Sequence, residues 1–513
     1  MPTFVSHRLV KPDKVESRVY QASILNTAIN KNTLCVLPTG LGKTSIAMLL
    51  AAQRLEKFPE SKILIVAPTR PLCEQHFNAF RGCLDFSDDK FILLTGKVSP
   101  ADRENYYESA QIISATPQTI ENDLQNRILN LKNFSLLIID EVHRAVRNYA
   151  YPYVARKYAE QAEHPRILGL TASPGSNEER IKEICANLRA EAVEIRTDQD
   201  EDVTDYVKQT DMEIVRVDLN SDLEKVQRTL KDALKQRLDK LKSQNIYIHR
   251  KFDLLDAQKK MQAKLHGATN PMFFQQMITI TEGVKIWHAL ELFETQSLNT
   301  VKAYFDKMGS STAKSSKRLL NDPKIKQAIL SIQTLKGAGE EHPKMGKLEE
   351  LITKELGNNP DAKIIVFSHY RENISTITKH LKQIAGAKPA ILIGQKSGLT
   401  QKEQISVIRD YEDGFYNILV TSPIGEEGLH LASADIAIFY EPVASEIRTI
   451  QRRGRVGRTK LGKVITLVTR NTRDEANFYT ARRKESAMHE ILTDMRDELK
   501  QKKPTQLADF IDG

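Results

Sequence analysis

The sequence predicts an α/β protein in which two parallel-sheet domains bracket an α-helical insert. Two features carry the prediction. Short aliphatic runs alternate with helical stretches at both ends of the chain, whereas the middle lacks such runs and holds the excess of positive charge. Continuous apolar runs without polar alternation read as strands buried on both faces, the condition of parallel sheets covered by helices.

In chain order, the first block offers "TLCVL", "ILIVAP", "FILLTG", "IISAT", "LLIID" and "RILGLTAS"; the last offers "KIIVFS", "AILIG", "NILVTS", "IAIFYEP" and "KVITLVT". Between them, Leu223, Val226, Leu230, Leu234, Leu238 and Leu241 recur three or four apart, one face of a long helix. Residues 221–330 hold 20 Lys and Arg against 11 Asp and Glu, so this block alone accounts for the chain's net charge of +9. A charge run is usually a solvated face, but an excess confined to one helical block points to a polyanion partner. The 513 residues suit roughly three domains. The expected partition is 1–203 for the first α/β domain, 204–222 with 345–498 for the second, 223–344 for the basic insert and 499–513 for a tail. No apolar run approaches the ~18 residues of a membrane helix. The opening "MPTFVSHRLVKPDK" lacks the apolar core of a secretory signal, so a cytoplasmic, nucleoid-associated protein is expected. Cys35, Cys73, Cys83 and Cys185 lack metal-type spacing and read as free thiols.

In open parallel sheets the chemistry lies in the loops that follow the strands. The first such loop, "LPTGLGKTS", leads into the helical "IAMLLAAQRL". Its residues Pro38, Thr39, Gly40, Leu41, Gly42, Lys43, Thr44 and Ser45 form a turn whose backbone N–H groups, with the helix N-terminus, can surround phosphate oxygens. Lys43 would reach the β and γ phosphates, and the Thr44 hydroxyl would bind Mg²⁺. The strict phosphate-loop pattern has Gly where this chain has Leu37, and a glycine turn capping a helix is the plainer alternative. In "LLIIDEVHRAVRNYAY", Asp140 and Glu141 end an aliphatic run. A strand stopping at a solvated loop would explain them; a phosphate loop upstream favours a second explanation. Asp140 would complete the magnesium shell and Glu141 would polarise the attacking water. "QRRGRVGR", residues 451–458, is either a nucleic-acid patch or a turn whose glycines hold Arg455 and Arg458 for the γ-phosphate in the transition state. In the second case, domain closure would be a condition for hydrolysis.

The ordered set "TGLGKT", "PTRPLCEQH", "SATPQT", "DEVH", "TAS", "IIVFSHYR", "SPIGEEGL" and "QRRGRVGR" resembles the motifs of superfamily 2 helicases and spans nearly the whole chain. A narrower resemblance is carried by "DEVHRAVRNYAY", "GLTASPGSNEERIKE", "DVTDYV" and "IGQKSGLTQKEQ", which look like the archaeal Hef helicase and its eukaryotic relative FANCM. The resemblance implies two RecA-like domains, a helical insert in the second, and ATP-driven remodelling of branched DNA such as forks and Holliday junctions. It implies that Gln21 reads adenine, that Gln451 joins Arg455 and Arg458 at the nucleotide, and that ATP and Mg²⁺ are the cofactors. It further implies that Thr69, Arg70, Thr95, Gly96 and Thr116 take the DNA backbone, for which hydroxyls, Arg and amides are suited. His143, Thr171, Ser173, Gly425 and Glu427 would couple the two domains, and the "RNYAY" stretch would pack behind the acids. On the insert, the exposed lysines Lys314, Lys317 and Lys324 are candidates for gripping a DNA arm.

Two departures stand out. His430 replaces the Asp usual after "EEGL", which puts a ribose contact in doubt. The chain also ends at Gly513 without the ERK-x-x-x-D signature of the nuclease that follows many Hef helicases, so a separate nuclease is an expected partner. In the tail, Leu507, Phe510 and Ile511 either dock on the second domain or form a degraded sliding-clamp motif. Two rival functions remain: an RNA-duplex-dependent ATPase sharing the same plan, and an ATP-gated scaffold that holds branched DNA with little unwinding.

Overall fold

The computed structural model describes residues 4–501 except 97, 198–199, 205, 207–210, 266–270, 395–397, 423–433 and 443–461. Among these, the first sheet comprises β1 (Thr33–Val36), β2 (Lys62–Val66), β3 (Phe91–Leu94), β4 (Ile112–Ala115), β5 (Phe134–Ile139), β6 (Ile167–Thr171) and β7 (Ala192–Ile195). They lie in the order β3-β4-β2-β5-β6-β1-β7, all pairings parallel. Successive side chains serve opposite faces, as pleating demands. Leu34, Val36, Leu64, Val66, Leu137 and Ile139 enter one core, and Cys35, Ile63, Ile65, Leu136 and Ile138 the other. Helices α1 (Val19–Asn30), α2 (Lys43–Lys57), α3 (Arg70–Cys83), α4 (Pro100–Ser109), α5 (Pro117–Gln125), α6 (Ala150–Gln161), α7 (Glu178–Leu188) and the short α8 (Glu201–Thr204) accompany this sheet. Pro71, Pro100 and Pro117 sit in first turns, where a missing N–H costs no helical bond.

The second sheet holds β8 (Asp211–Val217), β9 (Ile364–Phe367), β10 (Pro389–Leu392), β11 (Ile418–Thr421), β12 (Ile436–Phe439) and β13 (Lys463–Thr469), in the parallel order β10-β11-β9-β12-β13-β8. Its edge strand β8 comes first in the chain and pairs with β13 from Asp211↔Lys463 to Val217↔Thr469. The helical insert therefore interrupts this domain after its first strand. It contains α9 (Ser221–Lys242), α10 (Lys251–Leu265), α11 (Pro271–Thr295), α12 (Leu298–Gly309), α13 (Lys314–Leu320) and α14 (Pro323–Gly337). Asn220 caps α9 through a hydrogen bond from the Leu223 N–H, and Leu223, Val226, Leu230, Leu234 and Leu241 are buried along one face as their spacing requires. Helices α15 (Pro343–Asn358), α16 (Arg371–Leu381) and α17 (Gln401–Glu412) return to the second sheet.

A buried polar network joins insert and sheet. Lys344 and Asp474, both wholly buried, form an ion pair, and the Lys344 ammonium also donates to the carbonyl of Tyr440 at 2.8 Å. Glu294 of α11 accepts from Gln227 of α9 and from the backbone N–H of Arg473, whose guanidinium lies 4.7 Å over the ring of Trp287. At that point begins α18 (Arg473–Gln501). The expected partition puts this helix with the second domain as far as residue 498. Its later residues Met488, Leu492 and Met495 instead fill the core of the first, with Leu188, Val193 and Ile195. Apolar residues on one face of a long helix follow whichever core can cover them, and here that core belongs to the other sheet. No helix among the described residues is long and apolar enough to cross a membrane.

Candidate nucleotide site and nucleic-acid track

The phosphate-binding turn lies between β1 and α2. Gly40 and Gly42 have φ of 93° and 78°, the left-handed region that glycine enters without strain. Space demands glycine at 42 as well: a Cβ there would stand 2.3 Å from Gln21 Nε2. Gln21 is buried over the turn and donates to the carbonyl of Leu41 at 3.2 Å, beside the Tyr20 hydroxyl, which donates to the same carbonyl at 2.7 Å. Gln21 Oε1 is buried with no protein partner, an acceptor suited to a base amino group. Lys43 Nζ lies 2.8 Å from the carbonyl of Leu37, at the mouth of the turn.

Asp140 follows β5, two strands from β1, with its backbone N–H on the carbonyl of Val66 and its own carbonyl accepting from the Tyr151 hydroxyl at 2.7 Å. Tyr151 thus packs behind the acids, as the "RNYAY" reading expects. Burial raises the Asp140 pKa, but His76, Lys43 and the Glu141 N–H outweigh it and leave the carboxyl below its ordinary range. His76 Nε2 is 2.9 Å from Asp140 Oδ2. Glu141, at φ 48°, turns its carboxylate to within 3.2 Å of His143 Nδ1, and the same ring nitrogen lies 3.2 Å from Thr171 Oγ1. Thr171 Oγ1 in turn accepts from the Ser173 N–H, and the Ser173 hydroxyl lies 2.9 Å from the thioether of Met488 on α18. The expected coupling residues His143, Thr171 and Ser173 therefore form one hydrogen-bonded chain to α18, with the Glu141 carboxylate close to its His143 end. A phosphate cradle, an ionised strand-end carboxylate and the Thr44 hydroxyl in the first turn of α2 suit ATP with Mg²⁺, which Thr44 and Asp140 would hold.

The other expected contacts follow β2, β3 and β4, on the far side of β5 from the phosphate turn. Thr69 and Thr116 occupy N-cap positions yet cap nothing with their side chains. Thr69 Oγ1 and Arg70 Nε are buried without protein partners, whereas Thr116 Oγ1 bonds Thr119 Oγ1 at 2.8 Å. Thr95 is buried, and Gly96 is exposed with open space where a Cβ would be. One row of strand ends thus carries the nucleotide residues at β1, β5 and β6 and the backbone-contact candidates at β2, β3 and β4.

Elsewhere the structure brings less together. Gly425, Glu427, His430, Gln451, Arg455, Arg458, Leu507, Phe510 and Ile511 lie outside the described residues. On the insert, Lys314 and Lys317 are exposed beside Arg237 and Arg318, whose charge is met by Glu282 and Asp322. Lys324, expected to be exposed, is half-exposed, with Nζ 3.6 Å from Asp232 on α9, because the first turn of α14 packs beside that helix. His76 and Met488 were not foreseen. The spacing of Thr69, Cys73 and His76, four then three apart, could have placed His76 on the buried face of α3.

A phosphate-type turn on one half of a parallel sheet, idle polar atoms at the strand ends of the other, and a second parallel sheet fit the plan of a two-domain helicase. Comparisons with known proteins narrow the class. The chain matches family models described as "DEAD/DEAH box helicase" over residues 18–181, "Helicase conserved C-terminal domain" over 343–460 and "Putative ATP-dependent RNA helicase, helical bundle" over 222–339. It is 40% identical, over 96% of its length, to the "Putative ATP-dependent RNA helicase" of Methanocaldococcus jannaschii, and 31% identical, over 93%, to an ATP-dependent DNA helicase of Neurospora crassa. It spans 63% and 43% of those relatives, respectively. The solved helicase domain of Pyrococcus furiosus Hef matches with a TM-score of 0.72 and 40% identity, covering 90% of this chain and 98% of that one. The chain belongs to the Hef/FANCM family of superfamily 2 helicases.

Proposed function

We propose that the protein is an ATP-driven helicase or translocase acting on branched DNA, forks and four-way junctions above all. The observation that carries this reading is the division of one row of strand ends between a phosphate cradle and backbone-contact candidates, of which Thr69 and Arg70 hold idle polar atoms, with a basic insert on the second domain. Gln21 selects adenine, and Lys43 and the turn's N–H groups hold the phosphates. When bound, Mg²⁺ neutralises phosphate charge; Thr44 and Asp140 hold it, and Glu141 takes the proton of the attacking water. Gln451, Arg455 and Arg458, in the sequence of the second domain's motif, are assigned to the nucleotide by the family resemblance. The charge they would add is needed chiefly in the transition state, so hydrolysis would require closure. Thr69, Arg70, Thr95, Gly96 and Thr116 hold one strand by its backbone without reading sequence, while Lys314 and Lys317 meet an additional arm. In the cell, a separate nuclease and a sliding clamp are the partners this reading expects.

The printed name of the Methanocaldococcus relative supports RNA as the second reading. The test is the ATPase rate with single-stranded DNA, duplex, fork, four-way junction and RNA side by side. Greatest stimulation by fork or junction is expected. Stimulation by RNA duplex above every DNA would replace this reading with the second.

A further inference from the structure

Helix α3 touches both halves of the strand-end row. Its start carries Thr69 and Arg70, whose Oγ1 and Nε are buried without protein partners. Six residues further, about 9 Å along a helix, His76 Nε2 meets Asp140 Oδ2 at 2.9 Å with the imidazole 4% exposed. Between them, Cys73 fastens the helix: its carbonyl accepts from Ser114 Oγ at 2.8 Å, and its thiol donates to the carbonyl of Ala67 at 3.3 Å. Asp140 offers only acceptors when ionised, so Nε2 is the donor. The other ring nitrogen, Nδ1, is buried with no partner. A buried imidazole with one idle nitrogen is a poor filler for an apolar gap. Its contact with the carboxylate is the reason for a histidine here.

We propose that His76 is a positioning residue that fixes the Asp140 carboxylate for magnesium, and that α3 thereby couples nucleic acid held at Thr69 and Arg70 to how tightly the metal is held. Partners that orient a ligating carboxylate govern metal affinity, and losing one typically weakens it by about 10–100-fold. A displacement of the first turn of α3 by a bound phosphate is passed along a hydrogen-bonded helix to its second and third turns. The coupling half rests on the functional reading above; the His76–Asp140 half stands without it.

Two variants separate bonding from packing. His76→Gln keeps an N–H donor and loses the ring; His76→Phe keeps an aromatic ring and loses the donor. The readout is the Mg²⁺ concentration that gives half-maximal binding of a fluorescent ADP analogue, with and without saturating single-stranded DNA. For the wild type, DNA is expected to lower that concentration. For His76→Phe it should rise about tenfold and no longer respond to DNA, while His76→Gln should stay within about threefold of wild type. The reverse order, Phe like wild type and Gln shifted, means a packing role and overturns the proposal. Wild-type Mg²⁺ dependence that ignores bound DNA overturns the coupling. If either variant fails to fold, His76→Asn and His76→Leu repeat the comparison. Failure of DNA to bind the wild type at all would sink the functional reading, and the DNA-free titrations would still judge His76.

Discussion

Glu141 holds a left-handed backbone conformation, φ 48°, that a residue with a Cβ adopts only where its surroundings insist. What insists is the sharp turn after β5, which keeps Asp140 on His76 and sends Glu141 toward His143. On the proposed reading, this separates a carboxylate for the metal from one for proton transfer. Glu141→Gln should therefore retain nucleotide affinity while turnover falls about 10²-fold or more. Equilibrium binding beside steady-state hydrolysis checks this, and wild-type turnover in the variant would remove Glu141 from the base role. Gly42→Ala should do the opposite. Strain at φ 78° and a Cβ driven into Gln21 spoil the cradle itself, so nucleotide affinity is the quantity that falls. Selectivity for ATP over GTP should weaken with it, measured by competition, because Gln21 is the group displaced.

Among the elements, the junction between insert and second sheet has a pH signature. His342 caps α15, accepting from the Lys344 N–H through Nδ1, and burial next to Lys344 pushes its pKa from 6.5 down to about 3. The folded state keeps this ring neutral where the unfolded chain would protonate it. Stability tied to His342 is thus present above pH 6.5 and is lost as pH falls from 6.5 toward 3. His342→Asn keeps a capping oxygen and removes the titration. Between pH 6.5 and 5 the wild type should lose about 2 kcal/mol more than this variant in denaturant unfolding; equal losses would show that the ring protonates in place. Which elements could be read from sequence follows from the same burial logic. The eleven aliphatic runs are the interior strands and the edges β3 and β10. The strands that went unread, β7 "AVEI" and β8 "DMEIVRV", are edges carrying acids. Glu194 is tolerated in β7 because Thr27 and Arg196 reach it, and β8 alternates toward solvent. Likewise Lys43, Thr44, Asp140 and Glu141 were legible because their chemistry fixes their spacing. His76, Met488 and the Lys324–Asp232 pair were not, since each depends on a partner far away in the chain.

For the whole molecule, charge is the property most open to test. If Lys314 and Lys317 meet a DNA arm, changing both to Glu should shallow the log–log salt dependence of fork binding by about 0.9 for each phosphate no longer neutralised. Forks should weaken more than matched single strands, since only a fork has the additional arm. Titrations at two salt concentrations decide, and identical slopes would leave these lysines as solvated surface. The path of α18 bears on how the two sheets can move. Helix α18 bridges them: its start is fixed by Asp474 and Arg473, and its later part is seated in the first core by Met488 and Leu492. While those two methionine and leucine side chains stay seated, the second sheet with its insert hangs from the first by this stem, whose far end rests against Ser173.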